Sequence, residues 1–225
     1  MNTDVIPINY AGGTGGNFLC HFIVTAKYNN YEKYKLSLSR YGNAHSSVKD
    51  FPGAPYPLQV PDDIKVNYLM TTLPDGTDKT KPYYSVAHIL NNQTIIDNFA
   101  KSIRIVYDKD DFEELTMVFM GKYALDCEEK IFNETTDTLW HHLPSMRFFF
   151  KKYSKYFKYE EGHDNVCYVT WKELYHLDPS VLIEKLSDFT GIPKENFSKE
   201  HMTDWRKATA FCVDSVIKIL GDKLK

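Results

Sequence analysis

Apolar positions recur along this chain in two periods. Val5-Ile6-Pro7-Ile8-Asn9-Tyr10 is a β-rich run, with Pro7 near its start, where a strand tolerates it. Glycines follow at Gly12, Gly13, Gly15 and Gly16. From Asn17 to Lys27 the apolar residues Phe18, Leu19, Phe22, Ile23 and Ala26 fall at helical spacing, which predicts a buried helix. Strand, glycine turn and helix make the opening of an α/β fold.

The next stretch, about 29–83, breaks the pattern. It holds Pro52, Pro55, Pro57, Pro61, Pro74 and Pro82, six of the ten prolines. It reads as a long irregular excursion with one short strand near Val66–Met70; such loops inside a compact domain are usually functional. Regularity returns with strands at Tyr84–Val86, Ile103–Tyr107 and Val166–Trp171. Helices are expected over Thr94–Lys101, Asp110–Tyr123, Met146–Tyr156, Asp178–Gly191 and Trp205–Leu220. Acids in the first turn of the second of these suit the helix dipole. Asp178-Pro179 and Gly191 are start and stop signals. His141-His142 reads as a helix boundary. Alternating strands and helices predict an α/β protein, one domain over 1–225, with a mainly parallel sheet flanked by helices on both faces.

Composition narrows the function. The 225 residues carry 27 Lys and Arg against 30 Asp and Glu, a formal net charge of −3. That balance argues against broad nucleic-acid or anionic-membrane binding. No apolar run approaches the roughly 20 residues of a membrane span. Met1–Asp4 has no signal-peptide character, so the expectation is a cytoplasmic protein. Cys20, Cys127, Cys167 and Cys212 lack metal or redox spacing and read as buried thiols; no metal set is expected. Between Arg147 and Tyr159 basic and aromatic residues alternate. At helical spacing they divide into an apolar face and a solvated basic face able to guide an anionic acceptor.

The glycine turn is the strongest chemical signal. Amides at a helix N-terminus point outward at its positive end, and glycines let phosphate oxygens approach the main chain. Gly12, Gly13, Thr14, Gly15, Gly16 and Asn17 form such a cradle, with side-chain donors on Thr14 and Asn17. No Lys-Ser/Thr follows Gly16, so the Walker A pattern fails. Phe18 stands where the dinucleotide fingerprint needs glycine.

Gly13-Thr14-Gly15-Gly16-Asn17-Phe18-Leu19 resembles the 5′-phosphosulfate turn of the sulfotransferases that use 3′-phosphoadenosine 5′-phosphosulfate (PAPS). Gly13 stands where that family carries a basic residue. Val86-Ala87-His88, followed by a helix and the strand Ile103–Tyr107, is similar to the family's strand ending in the general-base histidine. His45 is a rival and His141-His142 a third candidate. Thr116, eight residues beyond Asp108, matches the serine of the 3′-phosphate motif; Asp108 replaces its arginine, leaving Lys109 or Arg104 to supply charge. Val166–Leu174 and Phe189-Thr190-Gly191 resemble the family's later strand and helix. Asp204-Trp205-Arg206-Lys207 resembles its C-terminal basic segment, with Arg206 toward the 3′ phosphate.

The resemblance implies a P-loop-like sulfotransferase architecture. It implies PAPS as donor, adenosine 3′,5′-bisphosphate as product and His88 as base, with no metal. The acceptor would be a small molecule or glycan bearing a hydroxyl or amine. A P-loop-like phosphoryl-transfer enzyme and a non-catalytic sulfotransferase-like binding protein remain open beside it.

Overall fold

A computed structural model describes residues 5–27, 29, 66–68, 83–87, 96, 99–122 and 135–221. The strands are β1 (Val5–Asn9), β2 (Val66–Tyr68), β3 (Tyr83–Ala87), β4 (Ser102–Val106) and β5 (Val166–Thr170). They form one sheet in the order β2-β3-β1-β4-β5. β3, β1, β4 and β5 run parallel, and β2 joins the edge antiparallel to β3. The fold is therefore α/β with a mainly parallel sheet, as the alternation of elements predicts.

The helices are α1 (Gly16–Lys27), α2 (Phe112–Met120), α3 (Thr135–Tyr153), α4 (Trp171–Tyr175), α5 (Pro179–Thr190) and α6 (Lys199–Leu220). All five residues of β4 are buried, so both of its faces are covered. Ile6 and Ile8 of β1, Ile103 and Ile105 of β4, and Cys167 and Val169 of β5 share one face. They pack into a core with Phe18, Leu19, Phe22 and Ile23 of α1 and with side chains of α2, α5 and α6. The opposite face carries Val106, Val166 and Tyr168, with Ile96 against them. Burying the isoleucines on the first face stabilises the fold by about 1.5–3 kcal/mol each.

Several boundaries differ from expectation, each for a local reason. Asp110 and Asp111 do not start α2 directly. Asp108 caps a short 3₁₀ turn, Lys109–Asp111, in a reciprocal capping box with Asp111, and α2 follows. Phe99 forms an isolated bridge, so the expected helix over Thr94–Lys101 does not reach its end; the rest of that helix lies mostly outside the described residues. His141-His142 marks no boundary: α3 runs from Thr135 through both histidines and Pro144. α6 begins at Lys199, capped by Ser198, so Asp204–Lys207 lies inside a helix instead of on a turn. The Thr170-Trp171-Lys172-Glu173 segment is a second capping box and opens α4. Asp178 and Gly191 bound α5 as the sequence signals, with Gly191 left-handed at φ 75°. In α3 the division of faces is incomplete: Phe150 is fully buried, but Phe148 is 63% exposed.

Cys20, Cys167 and Cys212 are buried free thiols, and Cys127 lies outside the described residues. Burial pushes the Cys167 thiol up to about 12.

Candidate functional site

The strand order fixes where a ligand fits. From β1 the chain leaves through α1 toward the β3 side; from β4 it leaves toward β5 on the other side. The carboxyl ends of β1 and β4 therefore flank a topological switch point, where open α/β sheets leave a crevice. The glycine turn follows β1 there. Asn9, the last residue of β1, pairs with Ala87, the last of β3, and with Arg104 of β4. His88 is the next residue after Ala87; its own position lies outside the described residues, as does that of His45.

The turn is built as much by packing as by backbone freedom. Gly13 and Gly15 both have φ 85°, which side-chain-bearing residues rarely adopt. A Cβ on Gly13 would stand 2.6 Å from the Phe119 ring, and one on Gly15 2.8 Å from Cζ2 of Trp205. Gly16 lies flat against the ring of Tyr10, and Gly12 against Phe119. Thr14 is fully buried, and its hydroxyl donates to the Ala11 carbonyl at 2.7 Å, closing the turn on itself. The Tyr10 hydroxyl donates to Oδ1 of Asn17 at 3.0 Å. Both side chains expected as ligand donors are thus engaged in holding the turn. The first amides of α1 point out of the helix at its positive end, where an anion would be favoured.

Beside this turn stands an aromatic wall from α4 and α6. Trp205 stacks on Phe18, with 4.4 Å between centroids and 8° between planes. Its indole N–H is fully buried and has no hydrogen-bond acceptor among the described residues. Lys122 places its Nζ 4.6 Å from the Trp205 ring centroid. That buried ammonium is a cation near the turn that the sequence reading did not single out; nothing in its surrounding residues signals it.

Glu114 and His176 were missed as well. Glu114 Oε2 accepts from Nε1 of Trp171 at 2.6 Å and lies 2.7 Å from Nε2 of His176. Glu114 follows β4 in α2, while Trp171 and His176 follow β5, so the cluster sits at the carboxyl edge of the sheet.

The residues expected at a 3′ phosphate are placed differently. Thr116 is fully buried in α2 and donates its hydroxyl to the Phe112 carbonyl at 2.7 Å. Arg206 donates from Nε to Leu174 O at 3.0 Å, from Nη1 to Leu177 O at 2.6 Å and from Nη2 to Glu173 O at 3.0 Å. It clamps the end of α4. Asp108 is a cap, 3.7 Å from Lys172. Lys109 is exposed on the 3₁₀ turn at the carboxyl end of β4. Arg104 lies inside β4, buried, with Glu160 3.9 Å away.

No family model, curated protein or solved structure matches the chain. Among the described residues no cluster of His, Cys, Asp or Glu could hold a metal ion, and no helix is long and apolar enough to cross a membrane.

Proposed function

We propose that the protein is a PAPS-dependent sulfotransferase with a P-loop-like architecture, transferring a sulfuryl group to a hydroxyl or amine of a small molecule or glycan. The observation that carries this reading is the glycine turn at the β1/β4 switch point, which begins three residues beyond Asn9, the last residue of β1 and the partner of Ala87. The buried N–H of Trp205, without an acceptor among the described residues, suits an anionic ligand beside that turn. So does the Lys122 ammonium, which answers the absence of a basic residue at Gly13.

PAPS supplies an activated sulfuryl group on a phosphate leaving group. The turn over Gly12–Asn17 would hold its 5′ end through backbone amides, which stabilise charge growing on the departing phosphate oxygen. The acceptor oxygen bonds to sulfur as the bond from sulfur to the phosphate oxygen breaks. The acceptor proton passes to His88, a step worth roughly 10²–10⁴ in rate. Lys109, exposed at the carboxyl end of β4, is the remaining candidate for the 3′ phosphate.

A second reading has a specific observation behind it. Thr116 and Arg206 spend their hydrogen bonds on the protein's own carbonyls. This favours a sulfotransferase-like scaffold that has lost catalysis and only binds a glycan or protein.

Calorimetric titration with adenosine 3′,5′-bisphosphate, with ATP and NAD as controls, tests the reading without an acceptor. Micromolar binding selective over ATP supports it. ATP binding alone moves the assignment to phosphoryl transfer. Retained bisphosphate binding with no turnover on any acceptor, unchanged by His88→Ala, leaves the scaffold reading.

A further inference from the structure

Arg104 is an unusual side chain to find inside a sheet. It is 1% exposed, and among the described residues none of its three guanidinium nitrogens has a hydrogen-bond acceptor. Among the described residues its one charged neighbour is the Glu160 carboxylate, 3.9 Å from Nη1, beyond hydrogen-bonding distance. Burial lowers its pKa to about 10, so it stays charged at neutral pH. A buried guanidinium carries five donors and no acceptor, and leaving them unmade is costly.

Alternation along β4 puts Arg104 on the face opposite Ile103 and Ile105, and so opposite α1. Register aligns it with Asn9 on one side and Tyr168 on the other, both buried. Tyr159 packs on Tyr168 at 4.8 Å and is itself largely exposed; the Glu160 side chain is one-third exposed. Glu160 thus reaches from the guanidinium's surroundings to solvent.

We propose that Arg104 anchors a buried oxyanion site on this second face of the sheet, taking a planar or tetrahedral acid group in the fork of its guanidinium. The ligand class is a carboxylate, sulfate or phosphate small enough to enter past Glu160. Planar bidentate recognition is what arginine offers and lysine does not. Glu160 stands at the entrance as a competing carboxylate. The site does not depend on the glycine turn, which lies beyond the end of β1 and leads into the opposite face.

The test follows thermal unfolding of the full chain in phosphate, sulfate or malonate, each against sodium chloride of equal ionic strength. Phosphate and sulfate report a tetrahedral ligand, malonate a carboxylate. Wild type gains a midpoint rise that saturates with at least one of them. Arg104→Met loses the rise while unfolding no earlier than wild type without anion, because a methionine removes an unsatisfied buried charge. Glu160→Gln tightens the anion roughly 1.5–5-fold, the size expected for a partly exposed charge. If Arg104→Met does not fold, Arg104→Lys replaces it, with a shift of the Arg104 Nε–H resonance in wild type on adding the anion as the direct readout. No saturating rise in wild type, or an equal rise in wild type and the Arg104 variant, overturns the proposal. Bisphosphate binding retained in Arg104→Met keeps the result separate from the sulfotransferase reading.

Discussion

Gly15 and Trp205 meet edge to backbone: a Cβ on Gly15 would lie 2.8 Å from Cζ2 of the indole, closer than real Cβ contacts allow. The same glycine has φ 85°. Gly191 has nearly the same backbone, φ 75°, with nothing within 4 Å of its Cβ position. The pair separates strain from crowding. Gly191→Ala should cost about 1 kcal/mol, the left-handed penalty alone. Gly15→Ala should cost about 2–4 kcal/mol, because the indole is held by Phe18 and cannot move aside. Urea midpoints of the two variants measure the difference, and equal losses would show that the wall yields.

A second prediction concerns pH. His21 of α1 is buried edge-on to His201 of α6, with 5.3 Å between centroids, and burial lowers its pKa to about 4. The unfolded chain accepts a proton near pH 6.5, and the folded one refuses it until about pH 4. Folding stability should therefore fall as pH drops through that window, by roughly 3 kcal/mol at its end and about 2 kcal/mol at pH 5. The contribution is absent above pH 7. His21→Gln removes the titration, so the wild-type stability difference between pH 7 and pH 5 should exceed the variant's by about 2 kcal/mol. Parallel curves for the two proteins would locate the acid sensitivity elsewhere.

The sheet and its ends were legible wherever the chain spelled a local rule. The β-branched run at Ile103–Val106, the cap at Asp178 and the stop at Gly191 each act over a few residues, so a linear reading finds them. His141-His142 misled because two polar aromatics resemble punctuation, yet both are exposed on a helix that tolerates them. The glycine turn was placed correctly, but its glycines answer to Phe119, Tyr10 and Trp205, residues that reach it only through the fold. Arg206 and Thr116 show the same limit. Their side chains look like ligand donors in sequence, and the carbonyls that accept their hydrogens become visible only when α4, α6 and α2 are in place. Lys122, Glu114 and His176 had no sequence signal, since each draws its setting from partners far along the chain.

Glu114 should prove structural before it proves chemical. The Trp171 side chain is fully buried, and its Nε1 donates to Glu114 Oε2. Glu114→Ala leaves that donor without an acceptor and should cost about 2 kcal/mol. Glu114→Gln keeps an acceptor oxygen and should recover most of the loss. Tryptophan fluorescence during denaturant unfolding reads both variants; equal losses would show that charge, and not an acceptor, is what Trp171 and His176 require.

Arg206 separates the two ways of reading the C-terminal segment. Its three donors hold Glu173, Leu174 and Leu177, and Leu174 in turn packs beside Gly15. If this clamp is its role, Arg206→Ala should lose about 2–3 kcal/mol of stability. Arg206→Lys should recover little, because a point charge cannot span three carbonyls in the geometry of a planar fork. A phosphate ligand would behave otherwise: alanine would weaken adenosine 3′,5′-bisphosphate without a matching loss of stability. Measuring denaturant midpoint and bisphosphate affinity on the same two variants decides between them. The three carbonyl bonds predict that stability falls in both variants, and that affinity at a temperature where both remain folded changes less than threefold, under about 0.7 kcal/mol.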